Sequence, residues 1–99
     1  MITRVWQGRI VPGKAEDYLM LMLQTGLPDY RATPGNLGAW CLHRPDDHAV
    51  VVKLLSFWRD ENAIARYAGP DIERARYYDF DFDYLAEMPL RVEHFTVLD

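Results

Sequence analysis

The stretch AVVVKLLSFWR, Ala49 to Arg59, constrains the fold more than any other part of this chain. It is rich in β-branched and aromatic residues and too short for a core helix, so it reads as a strand. Side chains alternate across a strand, and apolar groups here fall on both alternating sets. A strand of that kind lies in a sheet covered on both faces. The rest of the chain must supply its neighbours and its cover.

Ile2 to Val11 reads as a first strand, stopped by Pro12–Gly13. Lys14 opens a helix, AEDYLMLMLQTGL, with acids in its first turn, where the helix dipole favours them. Its run YLMLML is apolar on more than one face, as in a helix buried on two sides. Gly26 and Pro28 are expected to end or bend it. Thr33-Pro34-Gly35-Asn36 fits a type II turn. Leu37 to Arg44 reads as a second strand, Pro45 to His48 as a turn, and Ala49 to Arg59 as the third strand. Asp60 is a plausible N-cap for the helix ENAIARYA, which stops at Gly69–Pro70. Asp71 is expected to cap a further short helix, IERARYYD, and Leu90 to Leu98 to close the chain as a last strand.

The order is β-α-β-β-α-β. Over 99 residues this predicts one domain, 1–99, with an α+β ferredoxin-like sandwich: an antiparallel sheet with helices on one face. The strands nevertheless look apolar on both faces. The open face therefore predicts a homodimer in which two such sheets pack together.

Composition removes several users of this architecture. The net charge is −4, against the basic face that nucleic acid requires. RNA-recognition aromatic-basic motifs and a GxxxxGK loop are both missing from the sequence. The single cysteine, Cys41, rules out paired-thiol copper binding and a disulfide framework, and makes a cytoplasmic setting the expectation. The opening MITRVWQGRI does not read as a signal peptide. The apolar run near the first helix falls far short of the roughly 20 residues that span a bilayer. His43 and His48 flank an exposed-looking turn with no third ligand nearby, so no metal is expected.

Four segments together resemble the antibiotic biosynthesis monooxygenase family: RVWQGRIVPGKAEDY, LPDYRATPGNLGAW, VVVKLLSFWRDENAIARYAG and VEHFTVL. The most specific part is YRATPGN, followed by a strand and then by a strand that ends in Trp before a helix. The resemblance implies the dimeric α+β barrel. It also implies oxygenation of a small electron-rich aromatic, such as a quinol, without metal, flavin or other cofactor. A non-catalytic dimeric module that binds a small ligand or a partner protein is the alternative. A haem-degrading branch of the family expects Asn on the first strand, Trp in the second helix and His ten residues later. This chain has Trp6-Gln7-Gly8, Tyr67 and Tyr77 there, so all three positions depart.

By the same resemblance, Tyr67 and Tyr77 fall at positions that line the pocket, and Tyr78 stands beside them. His94 is the acid-base candidate because histidine titrates near neutral pH. Trp6 and Trp58 are candidate pocket walls, with core packing as the ordinary alternative. Arg4 alternates with Trp6 and could reach a phenolate, although an ion pair is the commoner use of such a residue. The stretch DFDFD, Asp79 to Asp83, starts like a calcium loop, but Tyr84 and Leu90 occupy the positions that need Gly and Glu. It is expected to be a turn with aromatics packed inward and all three Asp in water.

Overall fold

Strand β1, Ile2–Ile10, runs through the middle of a five-stranded antiparallel sheet in the computed structural model, which describes residues 1–98. On one side it pairs along its length with β3, Ala49–Trp58, and β3 pairs with β2, Asn36–Asp46. On its other side two short strands share the edge. Leu85–Glu87, β4, pairs with Arg9 and Ile10, and Glu93–Thr96, β5, pairs with Ile2 to Val5. This is the ferredoxin-like α+β fold that the element order predicts. The type II turn is formed: Gly35 has φ +92° and the Asn36 N–H donates to the Thr33 carbonyl at 3.0 Å. A Cβ at Gly35 would also lie 2.4 Å from that of Ala63.

The alternation in β3 resolves as expected. Val52, Leu54, Ser56 and Trp58 are buried under the helices. Lys53, Leu55 and Phe57 face the other way and are half-buried. Register places Val5 and Trp40 beside Leu55, and Thr3 beside both Phe57 and Phe95. The open face thus carries a contiguous apolar area in which Trp40 is 50% exposed and Phe95 53%.

The first helix does not stop at Gly26 or Pro28. Helix α1, Ala15–Leu21, passes into a π-helical turn, Met22–Gly26, and on into α2, Leu27–Ala32. Pro28, the second residue of α2, brings no N–H to the continuous helix, so a carbonyl one turn earlier lacks its helical donor just where the π turn falls. The residues buried against the sheet are Tyr18, Met22, Leu27 and Tyr30. The step from Met22 to Leu27 is one residue too long for a regular α-helix, and the π turn absorbs it. Helix α3, Glu61–Ala68, is capped as predicted, the Asp60 carboxylate accepting from the Ala63 N–H at 2.9 Å.

The last third corrects the sequence reading. Residues 71–80 are not helical, and the last strand is Glu93–Thr96 rather than Leu90 to Leu98. The irregular segment is pinned from outside instead. The Ala75 N–H donates to the Leu90 carbonyl at 2.9 Å, and the Val92 N–H to the Glu73 carbonyl at 2.8 Å. The stretch DFDFD ends in a one-turn helix, α4, Asp81–Tyr84, that leads straight into β4. Asp81 is buried and Phe82 exposed, the reverse of the expected arrangement.

Candidate functional site

Arg4 and Trp6 point from β1 into the layer between sheet and helices. Tyr30 of α2 and Tyr67 of α3 stack over the sheet with ring centroids 4.1 Å apart. Trp58 lies beneath both, fully buried, its indole N–H donating to Ser56 Oγ at 2.9 Å. The irregular segment brings Tyr77, Tyr78 and Asp81 across the top. Above Trp58, the other side chains line a cleft of about 310 Å³, a space that includes its opening to solvent. Its enclosed part has room for roughly one water molecule.

Arg4 is the unusual residue. It is 2% exposed, yet among the described residues it forms no ion pair. Its Nη1 donates to the Ile72 carbonyl and its Nη2 to the Arg74 carbonyl at 3.1 Å. Its Nε has no partner among the described residues. Burial lowers the guanidinium pKa, opposed by the nearby Tyr30 and Tyr67 hydroxyls. An arginine does not lose its proton in a protein, so the cleft contains a fixed cation with spare donor capacity.

The tyrosines around it form a connected set. The Tyr67 and Tyr78 hydroxyls are 3.3 Å apart, and Tyr78 donates to Asp29 Oδ2 at 2.6 Å. Arg76 pairs with the same Asp29 oxygen at 3.1 Å and lies over the Tyr67 ring. The Trp6 indole N–H donates to the Tyr77 hydroxyl at 3.1 Å, and Tyr77 donates in turn to the Pro89 carbonyl. Burial pushes the hydroxyl pKa of Tyr18, Tyr30, Tyr67, Tyr77 and Tyr78 upward. All five stay phenols near neutral pH. None can serve there as a base, and Tyr18, Tyr77 and Tyr78 already commit their single O–H to Asp81, Pro89 and Asp29.

Asp81 has a different role. Its Oδ1 accepts from the Tyr18 hydroxyl at 3.0 Å and its Oδ2 from the Tyr78 N–H at 2.7 Å. Burial raises its carboxyl pKa, and those two donors oppose the rise.

The structure therefore brings Arg4, Trp6, Tyr67, Tyr77 and Tyr78 together on one cleft. Trp58 supports that cleft from the core and does not line it. His94 stays outside, which corrects its place among the candidate site residues. Its position on β5 sets it opposite Arg4, and its Nε2 lies 3.3 Å from Arg4 Nη1. Sequence reasoning missed Tyr18, Tyr30, Arg76 and Asp81. For the first two the signal was present, since both are tyrosines on the apolar face of one helix. Among the described residues, no three His, Cys, Asp or Glu side chains cluster in a metal-binding arrangement. No helix among them is long and apolar enough to cross a membrane.

His94 gives the site a pH dependence of its own. Burial and the adjacent Arg4 cation lower its pKa below the ordinary 6.5. A base held below its unfolded value takes up its proton less readily when folded. Its effect on stability is absent above that unfolded value and becomes a loss as pH falls through it toward the lowered pKa. Denaturant titrations from roughly pH 7 to pH 5 should show wild type losing stability relative to His94→Gln. Parallel curves would remove His94 as the source.

Fold and site together define a ferredoxin-like α+β protein with a tyrosine-walled, cationic cleft beneath its helices. No protein-family model and no curated protein matches the chain. A solved structure that it resembles in fold is that of Rv0793 from Mycobacterium tuberculosis. The likeness covers 100% of this chain and 97% of that one, with a TM-score of 0.59 and 19% sequence identity.

Proposed function

We propose that this protein is a cofactor-independent monooxygenase of small electron-rich aromatics, binding its substrate as a phenolate at Arg4. The observation that carries this reading is the buried guanidinium whose Nε has no partner among the described residues, set in a cleft walled by tyrosines that stay protonated. A buried cation without an acid is costly unless something anionic completes it. The resemblance of YRATPGN and the strands after it to the antibiotic biosynthesis monooxygenases supports the same reading.

The chemistry needs only the substrate and dioxygen. The phenolate passes one electron to dioxygen, and the substrate radical and superoxide combine at a ring carbon. The peroxide takes back the phenol's proton, the C–H bond on that carbon breaks, and the O–O bond cleaves with loss of water, leaving a carbonyl there. The protein's share is to hold the phenolate, donate hydrogen bonds and exclude bulk water. An aromatic ring needs more room than the enclosed cleft offers, so Tyr77 and Tyr78 must move aside. Their segment has no helical or sheet hydrogen bonds of its own to break beyond the isolated bridge between Arg74 and Arg91.

The small enclosed volume favours a second reading, a non-catalytic module whose cleft is filled by its own side chains. Oxygen uptake separates the two. The purified, metal-free protein is offered a panel of quinols and polyphenols. Turnover above the buffer rate is expected. Its absence across the panel, with tyrosine and tryptophan fluorescence unchanged, would favour the module.

The open apolar face supports a homodimer. Leu55 lies at its centre, between Val5 and Trp40. Wild type is expected to sediment at twice the chain mass. Leu55→Glu should sediment as a folded monomer, because a charge there cannot be buried against a second sheet without a partner. A Leu55→Glu dimer would place the interface elsewhere.

A further inference from the structure

We propose that Asp81 is the proton acceptor of the cleft, taking the hydroxyl proton of the phenolic ligand that Arg4 then holds as an anion. The inference rests on the phenolate reading above and assigns the base that reading lacks. Asp81 is 3% exposed, lines the same cleft as Arg4, and forms no ion pair among the described residues. Each of its oxygens accepts one hydrogen bond, and a carboxylate oxygen can accept two. The other groups around the cleft cannot do this work. The tyrosines stay protonated, and His94 stands behind Arg4.

The step is a proton transfer alone. The substrate O–H bond breaks, its electron pair stays on oxygen, and the proton moves to an Asp81 carboxylate oxygen. The cleft keeps its net charge, with the negative charge passing from Asp81 to the phenolate oxygen. Burial raises the Asp81 pKa and so narrows the gap between carboxyl and phenol that the proton must cross. The groups that bear on Asp81 are the Tyr18 hydroxyl from α1, the Tyr78 N–H, and Tyr77 above it. None of these side chains is charged near neutral pH, so nothing there competes for the proton.

A proton inventory tests the assignment. The probe is 4-nitrophenol, whose phenolate is visibly coloured. It is bound in weakly buffered solution at least one unit below its own pKa, where roughly nine-tenths or more of the free probe is the colourless phenol, with a pH indicator reporting released protons. Wild type should show the phenolate colour with no proton released, because the proton remains on Asp81. Asp81→Asn should show either the colourless phenol or phenolate with one proton released per probe bound. Wild-type phenolate that releases its proton to solvent would overturn the role of Asp81 and leave Arg4 untouched. An Asp81→Asn protein that forms phenolate with no proton released would do the same. No phenolate on wild type at all would overturn the cleft reading itself, and this assignment with it. The wild-type measurement stands alone if the variant folds poorly.

Discussion

Arg4→Met is expected to abolish phenolate binding while leaving the fold intact. The two effects separate because the cation is an awkward structural element. Its acceptors are carbonyls of Ile72, half-buried, and Arg74, exposed, which water can serve in its absence. Losing two such bonds from a charged donor costs about 1.5 to 3 kcal/mol each. Replacing a buried ion by an apolar side chain of similar length returns about 1 to 4 kcal/mol. The net loss of about 2 kcal/mol should lower the thermal midpoint by about 10 °C, with the protein still folded. Binding loses a charge-assisted contact worth about 2 to 5 kcal/mol, a drop of roughly 30-fold to several thousand-fold. Titration of 4-nitrophenol by its visible absorbance, alongside a thermal melt, measures both. Unchanged affinity would remove Arg4 from the site. A large fall in midpoint would make it chiefly a strut for residues 72–74.

Trp58→Ala should do the opposite and take away the fold. Trp58 is fully buried and touches both tyrosines of the stacked pair. Truncating a buried tryptophan costs about 3 to 5 kcal/mol. A domain has only about 5 to 15 kcal/mol of net stability. For a chain of this size the midpoint should fall by about 15 to 30 °C, read by circular dichroism. Trp58→Phe should recover most of the loss, since a ring still supports Tyr30 and Tyr67. A Trp58→Ala midpoint within a few degrees of wild type would mean that the core closes over the gap.

The sheet was legible because its signals are local. Strand β3 announces itself through its β-branched run, α3 through the Asp60 cap, and the turn at Thr33 through Pro-Gly. The segment from Asp71 to Tyr84 was not legible because its conformation is set at long range. IERARYYD has good helix formers, yet Arg4 holds the Ile72 and Arg74 carbonyls from β1, and Leu90 and Val92 hold the backbone of Glu73 and Ala75. Asp81 looks like its neighbours Asp79 and Asp83 in sequence. It is distinguished by a hydroxyl 63 positions away on Tyr18. The cleft was half legible: Arg4, Trp6, Tyr67, Tyr77 and Tyr78 were named, whereas Tyr18, Tyr30 and the acid Asp81 come in only through the same long-range closure.

The π turn at Met22–Gly26 gives this protein a constraint that no single side chain expresses. A helix turns about 100° per residue, so the extra residue rotates everything after it by that amount. Tyr30 meets Tyr67 because of this offset in phase. Here the information lies in length. Two relatives could match at each aligned residue and still differ in whether the second half of this helix presents tyrosine to the sheet or to water. A gap of one position between Met22 and Leu27 would therefore be more telling than many substitutions around it.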